Sequence, residues 1–225
     1  MNLMKRAVDL CKSGDIHYGH GSFLSHAIDD WAFKISGLYE PQKPLKEEVE
    51  PIYNELIQII AEGWSLRPGW DFIGELMEEL GGSGHLSYFQ TPESLSKLLS
   101  SLNQPSVADG KTIIDQYEPC SGCGAITLSS IVDTYEREGF MGVARLDLHL
   151  EELDYTKTKA SVIQIINLLK LLNENGIPLV VKGLTILQID VINRKSVGLN
   201  YSFQGDPSVL IALESNSKKL QSSAA

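Results

Sequence analysis

Apolar residues in the first 80 positions recur at spacings of three and four, which is the period of a helix buried on one face. The segment EEVEPIYNELIQIIAEGW has its apolar positions at Val49, Ile52, Tyr53, Leu56, Ile59 and Ile60. The segment GWDFIGELMEELGG repeats this spacing and stops at Gly81 and Gly82, because glycine commonly ends helices. The pattern predicts a helical amino-terminal part.

After residue 90 the pattern alternates between helix-like and strand-like segments. Thr91 and Pro92 are the candidate N-cap and first residue of a helix that continues to Leu102. The β-branched run KTIIDQYEP predicts a strand, GAITLSSIVDTYEREG a helix closed by Gly139, and MGVARLDLHLEELD a second strand. TKTKASVIQIINLLKLLNENG predicts a second helix, and IPLVVKGLTILQIDVI one or two further strands.

The order strand, helix, strand, helix, strand predicts an α/β fold with right-handed crossovers and a largely parallel sheet. We therefore expect three parts along the chain. A helical lobe covers residues 1–86, an α/β domain covers residues 87–213, and a polar tail covers residues 214–225. The small and polar composition of the tail predicts that it is flexible.

Composition and charge limit the range of functions. The chain has 225 residues and a net charge of −10, and its basic residues are scattered rather than gathered in a stripe. Because a protein that binds DNA by itself usually carries a basic stripe, we expect any contact with nucleic acid to be local or to be supplied by a partner chain. No apolar run is long enough to cross a membrane, and the start MNLMKRAVDLCKSGD lacks a signal-peptide core, so we expect a cytoplasmic protein with no membrane contact.

The segment EPCSGCGA, residues 118–125, joins the first predicted strand to a helix. Such a turn lies at the carboxyl end of the strands, where nucleotide-like ligands bind in open α/β sheets. Gly122 and Gly124 lack a Cβ, so a ligand can approach their backbone. Glu118 could accept hydrogen bonds from a ligand amine, directly or through water. The next strand ends in acidic residues that could bind ribose hydroxyls, namely Glu151, Glu152 and Asp154.

Two other interpretations of the same segment stay open. Cys120 and Cys123 could hold a metal or form a redox pair, but structural zinc needs four ligands, and the third cysteine, Cys11, is distant in sequence. Alternatively, the glycines only make a tight turn and the cysteines only fill space. We expect no metal.

Four segments in a fixed order resemble the adenine-specific DNA N6-methyltransferases, the class I S-adenosylmethionine-dependent enzymes of the modification-subunit type. These segments are SYFQTP (87–92), YEPCSGCGA (117–125), EELDY (151–155) and ASVIQIINLL (160–169). The resemblance extends over roughly residues 31–187. It implies a Rossmann-like class I methyltransferase sheet, shortened at its carboxyl end, after an amino-terminal helical lobe.

The resemblance also implies a cofactor site for S-adenosylmethionine. The residues at the methionine end of the cofactor would be Phe89, Thr91 and Pro92. The cradle beneath it would be formed by Glu118, Cys120, Gly122 and Gly124. Glu152 would hold the ribose hydroxyls, and Leu153 and Asp154 would flank the adenine.

The catalytic motif of this family, (D/N/S)-P-P-(Y/F/W), does not occur in the chain. The nearest segment is GDPSV, in which Asp206 and Pro207 are the candidate catalytic residues, and LNYSF (199–203) is the other candidate for a target-base site.

Three functions follow as hypotheses. The chain could transfer methyl groups to adenine in DNA, alone or as a modification subunit. It could be an inactive, methyltransferase-like binding or regulatory protein in a restriction–modification or anti-restriction context. It could be a methyltransferase for RNA or a small molecule. The expected partners are DNA, through a partner chain, together with a specificity or restriction subunit, or a second copy of the chain.

Overall fold

The amino-terminal part of the chain is helical, as the apolar spacing predicts. The computed structural model describes residues 2–19, 21–42, 44–81, 90–103, 113–172 and 181–205. The first helices are α1 (Leu3–Tyr18), α2 (Phe23–Ser36), α3 (Glu50–Leu66) and α4 (Phe72–Glu79), with a 3-10 turn at Glu47–Val49 before α3. Two interior glycines let aromatic rings approach these helices closely, because a Cβ on Gly14 or Gly63 would overlap the ring of Phe23 or Phe72.

The second part is α/β. The remaining helices are α5 (Glu93–Asn103), α6 (Ala125–Val143) and α7 (Tyr155–Leu171). The strands are β1 (Ile114–Pro119), β2 (Leu146–Glu152), β3 (Gly183–Asp190) and β4 (Lys195–Gln204), in the sheet order β1-β2-β3-β4. The first three strands are parallel and β4 is antiparallel to β3. The predicted α/β class with a largely parallel sheet is therefore confirmed.

Within the described residues, the helices of the α/β part cover one face of the sheet. Both crossovers, through α6 and α7, step in the same direction from β1 to β3, and right-handed crossovers of this kind place their helices on one face. Burial alternates accordingly along β1, where Gln116 and Glu118 are buried while Asp115 and Tyr117 are exposed.

Strand β4 was not predicted from the sequence. Its residues are mostly exposed, and only Leu199 and Tyr201 are buried among its ten positions, so it has fewer buried apolar positions than β2 or β3. The candidate target-base segment LNYSF lies within this strand, and the ring of Tyr201 is fully buried.

Two helix ends differ from the expected ones. Helix α5 begins at Glu93, so Thr91 and Pro92 both precede it, and the Pro92 carbonyl accepts the amides of Leu95 and Ser96. Helix α6 continues past Gly139 to Val143, although Gly139 itself is not helical (φ 63°, ψ −156°). The glycine therefore makes a kink where an end was predicted, because it can adopt this backbone conformation without a steric penalty.

The predicted domain boundaries at 86–87 and 213–214 lie outside the described residues. No helix within the described ranges is long and apolar enough to cross a membrane.

A buried ion pair joins the helical part to α7. The side chain of Lys159 on α7 is fully buried, and its Nζ contacts Asp29 Oδ1 on α2 and the Tyr39 carbonyl oxygen at 3.2 Å. Asp29 Oδ1 also accepts the hydroxyl of Tyr155 at 2.9 Å, and Oδ2 accepts the Gln42 amide at 2.9 Å. A buried charge is tolerated only when it is paired and hydrogen-bonded, so this cluster fixes how α2 lies against α7.

We predict that Lys159→Met destabilises the protein by about 3–5 kcal/mol, because it leaves the Asp29 carboxylate buried without its cation. The double variant Lys159→Met/Asp29→Asn should recover much of this loss, since no buried charge remains unpaired. Urea unfolding followed by circular dichroism measures both. A single variant that loses less than about 1 kcal/mol would show that the pair contributes little.

Candidate functional site

The turn between β1 and α6 has the conformation that its glycines permit. Gly122 (φ 58°) and Gly124 (φ 88°) both lie in the left-handed region, and Gly124 is the N-cap of α6. Cys120 is also left-handed (φ 58°), which is uncommon for a residue with a side chain. The Gly124 amide donates to the Ser121 carbonyl oxygen at 2.9 Å and closes the turn.

Glu152 at the end of β2 lies against this turn. Its Oε2 accepts the Gly122 amide at 2.8 Å, and its Oε1 accepts the amides of Leu153 and Asp154, both at 2.8 Å. The residue is 8% exposed. One carboxylate therefore joins the glycine turn after β1 to the loop after β2. We call this arrangement of Glu152 with its three backbone amides the Glu152 clasp.

Glu118 has a different partner from the one expected. Its Oε2 accepts the Thr127 amide at 3.1 Å and makes a short hydrogen bond with the Thr127 hydroxyl, so the side chain caps the first turn of α6. Burial raises the pKa of Glu118 to about 7, the Thr127 hydrogen bonds oppose that rise, and the nearby Asp71 adds to it. A contact with a ligand amine would have to share this carboxyl with α6.

Asp71 and Gln164 connect the turn to the helical part, and neither was predicted as a site residue. Gln164 Nε2 donates to Asp71 Oδ1 at 2.7 Å and to the Cys123 carbonyl oxygen at 2.9 Å. Gln164 Oε1 accepts the Ile73 amide at 3.1 Å. The sequence feature that could have indicated Gln164 is its position inside the apolar run SVIQIINLL. A glutamine buried in such a run needs hydrogen-bond partners for its side-chain amide.

Thr91 lies close to the start of α6. The two share a small cavity of about 20 Å³, whose walls include Asp71, Gln90, Thr91 and Ala125. A cavity of this size holds about one water molecule. Gln90 Nε2 donates to the Asp71 carbonyl oxygen at 3.1 Å, which holds this segment against the start of α4.

The cysteines of the turn point in different directions. Cys123 is buried with its Sγ 3.8 Å from the Met77 Sδ, whereas Cys120 is exposed. Among the described residues, no group of three or more histidine, cysteine or acidic side chains lies close enough together to hold a metal ion. Cys123 thus acts as a packing residue in this structure.

Leu153 and Asp154, the two residues expected beside the adenine, have separate roles. The side chain of Asp154 accepts the Lys157 amide at 2.9 Å and is the N-cap of α7. Leu153 is 41% exposed and is therefore free to contact a ligand.

Glu151, the third acidic residue of this run, lies on the other face of the sheet. Arg194 donates to both of its carboxylate oxygens, at 2.6 and 2.9 Å, and the Tyr117 hydroxyl donates at 2.6 Å. The Arg194 hydrogen bonds lower the pKa of Glu151 to about 2. Glu151 and Glu152 are thus neighbours in sequence with different partners.

The structure brings most of the predicted cofactor residues to one edge of the sheet. Those at or next to the turn are Glu118, Cys120, Gly122, Gly124, Glu152, Leu153 and Asp154. Thr91 and Pro92 precede α5, with Thr91 near the start of α6. Phe89, Asp206 and Pro207 lie outside the described residues.

No protein-family model matches the chain, and neither the curated proteins nor the solved structures contain a match. The fold and site define the class only as an α/β protein whose glycine turn meets the acidic end of the next parallel strand.

We predict that Glu118→Gln changes how stability depends on pH. Between the ordinary carboxyl pKa of 4.5 and the folded value of about 7, the native protein holds a proton that the unfolded chain releases. The free energy of unfolding of the wild type should therefore fall as pH rises through this range. Relative to the variant, which has no carboxyl to titrate at this position, the fall should be roughly 2–3 kcal/mol. Glutamine can still accept the Thr127 amide through its side-chain oxygen. Urea titrations at pH 4.5, 6 and 8 measure the difference, and a constant difference at all three would contradict a raised pKa.

Proposed function

We propose that this chain binds S-adenosylmethionine at the glycine turn and belongs, by fold and cofactor, with the adenine-specific DNA N6-methyltransferases. The observation that carries the proposal is the hydrogen bond of 2.8 Å between the Gly122 amide and Glu152 Oε2. It places a left-handed glycine turn after one parallel strand directly against the acidic end of the next. Parallel α/β sheets bind nucleotide-like ligands at this edge.

The residues present fit such a cofactor at three points. Gly122 is half-buried, so a ligand can approach its backbone, Glu152 provides carboxylate oxygens for ribose hydroxyls, and Leu153 provides an exposed apolar side chain for the adenine. Gly124 is buried, and a Cβ there would contact Ser161 and Leu150, so this glycine shapes the turn and does not face a ligand. The buried Ser121 hydroxyl in the same turn has no hydrogen-bond partner among the residues that the structure describes, so a polar group is available there. Glu118 is less suited to bind a ligand directly, because its carboxyl already caps α6.

When bound, S-adenosylmethionine supplies an activated methyl group. The chain's own residues would orient it, with Glu152 setting the position of the ribose and the turn excluding water beneath it. The ribose would have to share the carboxylate with the Gly122 amide. Binding should therefore loosen or lengthen that hydrogen bond.

The experiment is calorimetry with S-adenosylmethionine on the wild type and on Glu152→Gln, with Glu151→Gln as the matched control. We predict that Glu152→Gln weakens binding roughly tenfold or more, since it removes a charged hydrogen-bond acceptor. Glu151→Gln changes the neighbouring acidic residue, which faces Arg194, and should leave binding unchanged. Gly122→Val should abolish binding, because valine strains a left-handed position.

Thermal melts of each variant separate lost binding from lost folding. Absence of binding heat with the wild type would overturn the proposal. Equal weakening by the two glutamine variants would show that general charge, rather than the Glu152 clasp, holds the ligand.

A second candidate function is that of a cofactor-binding protein that transfers no methyl group. The observation that favours it is the packing of the two rings in LNYSF. The Tyr201 ring is fully buried and cannot stack on a flipped base, and Phe203 is half-buried and packs against the core. The remaining candidate for the target-base site is GDPSV with Asp206 and Pro207. Incorporation of tritiated methyl groups into DNA tests the two functions. Incorporation that falls with Asp206→Ala supports transfer, and no incorporation by a wild type that binds the cofactor supports the second candidate.

A further inference from the structure

A larger cavity lies between α5, α6 and the loop that follows α3. Its volume is about 320 Å³, which is within the usual range of small-molecule sites. The α6 residues that line it share one helix face, at positions i, i+3, i+4 and i+7, and are Ser129, Val132, Asp133 and Glu136. Most of the lining side chains are charged or carry a hydroxyl group. The cavity therefore fits a polar ligand.

One end of this cavity is basic. Arg67 Nη2 and Lys97 Nζ contact the two oxygens of the Glu93 carboxylate, at 2.5 and 2.7 Å. Two positive charges and one negative charge leave a net charge of +1. The Arg67 guanidinium also lies over the Trp70 ring, 4.6 Å from its centroid, so it is held in place from two sides. An anionic group would meet N–H donors here that are already oriented.

The other end is acidic and lies on α6. Asp133 Oδ2 is shielded from solvent and makes no hydrogen bond within the described part of the chain, and the guanidinium of Arg137 is 3.9 Å away. Glu136 is exposed and forms no ion pair with any described residue. A shielded carboxylate oxygen without a hydrogen bond is costly. This end of the cavity therefore lacks a donor, which a positively charged N–H group would provide.

The two ends are separated along the helices. Helices α5 and α6 both begin at the small cavity described above, so they run in the same direction. The Ser129 hydroxyl donates to Ser96 Oγ at 2.9 Å where the two helices meet. Glu93 precedes this contact along α5, whereas Asp133 and Glu136 follow it along α6. A rise of about 1.5 Å per residue places the charged groups roughly 10 Å apart along the helix axes.

The serines that line the cavity present lone pairs to a ligand. The hydroxyls of Ser100 and Ser101 both donate to the Lys97 carbonyl oxygen, at 2.9 Å each. The proton of the Ser129 hydroxyl is used in the hydrogen bond to Ser96. Because a hydroxyl has only one proton, these three oxygens can only accept hydrogen bonds from a ligand. The fitting ligand therefore carries N–H donors in addition to its charges.

We propose that this cavity binds a small zwitterion with the chemistry of a free tripeptide. Its ammonium group contacts Asp133 and Glu136, its carboxylate contacts Arg67 and Lys97, and its peptide N–H groups donate to the serine oxygens. An extended tripeptide spans about 10 Å, which matches the separation of the two charged ends. This binding does not depend on the cofactor, because the Glu152 clasp is built on the loops after β1 and β2.

Calorimetry of the full chain with trialanine, in the absence of S-adenosylmethionine, tests the ligand. Two matched peptides each remove one charge, since N-acetyl-trialanine lacks the ammonium group and trialanine amide lacks the carboxylate. Each should bind roughly tenfold more weakly than trialanine, because each loses charge-assisted hydrogen bonds. Undiminished binding of either blocked peptide would overturn the zwitterion assignment, and no binding of trialanine would overturn the site.

Two variants locate the charges. Glu136→Gln should weaken trialanine about two- to fivefold and leave the affinity of N-acetyl-trialanine unchanged, because that peptide has no ammonium group. Lys97→Gln should weaken trialanine by a similar factor and leave the affinity of trialanine amide unchanged. Glu62→Gln on α3 is the matched control and should change neither affinity. Thermal melts of the three variants should match the wild type, because all three side chains are exposed.

A backbone amide NMR titration with trialanine identifies the place of binding. The largest shifts should occur at Ser101, Ser129 and Asp133, and the Gly122 amide should change little. Largest shifts at Gly122 would show that the peptide enters the Glu152 clasp, and would overturn the cavity as its site.

Discussion

The arrangement of the site depends on one buried carboxylate. Glu152 accepts three backbone amides, one from the turn after β1 and two from the loop after β2. A carboxylate at 8% exposure has lost most of its hydration, and these hydrogen bonds replace it. The same contacts fix the left-handed turn at Gly122 relative to the start of α7. The glycine turn and the acidic end of β2 thus form one unit.

Helix α7 connects this unit to the helical part through two buried polar side chains. Lys159 reaches Asp29 on α2, and Gln164 reaches both Asp71 before α4 and the Cys123 carbonyl in the turn. Unpaired polar groups in a core are costly, so these contacts permit few alternative arrangements of the helices. The helical part therefore supports the glycine turn directly, and a change at Asp71 or Gln164 would alter the turn.

Local patterns predicted the elements that are buried on one face or on both. The helices α3 and α7 and the strands β1 to β3 follow from apolar spacing, and the turn follows from its glycines. Strand β4 could not be found in this way, because its antiparallel, mostly exposed residues carry a weak apolar signal.

The partners of charged side chains also could not be predicted from the sequence. Lys159 resembles a solvated lysine in TKTKAS, yet its partner Asp29 is 130 positions away. The sequence correctly marked Glu118 as a strand-end carboxyl. Whether it faces a ligand or α6 depends on the tertiary position of Thr127, which no local pattern specifies.

The most direct test of the central claim is a backbone amide NMR titration of the full chain with S-adenosylhomocysteine. If the ligand shares the Glu152 carboxylate, the largest shifts should occur at the amides of Gly122, Leu153 and Asp154. The amides of His149 and Tyr117, whose side chains lie on the opposite face of the sheet from Glu152, should change little. Absence of shifts at the clasp, or shifts confined to the opposite face, would contradict the account.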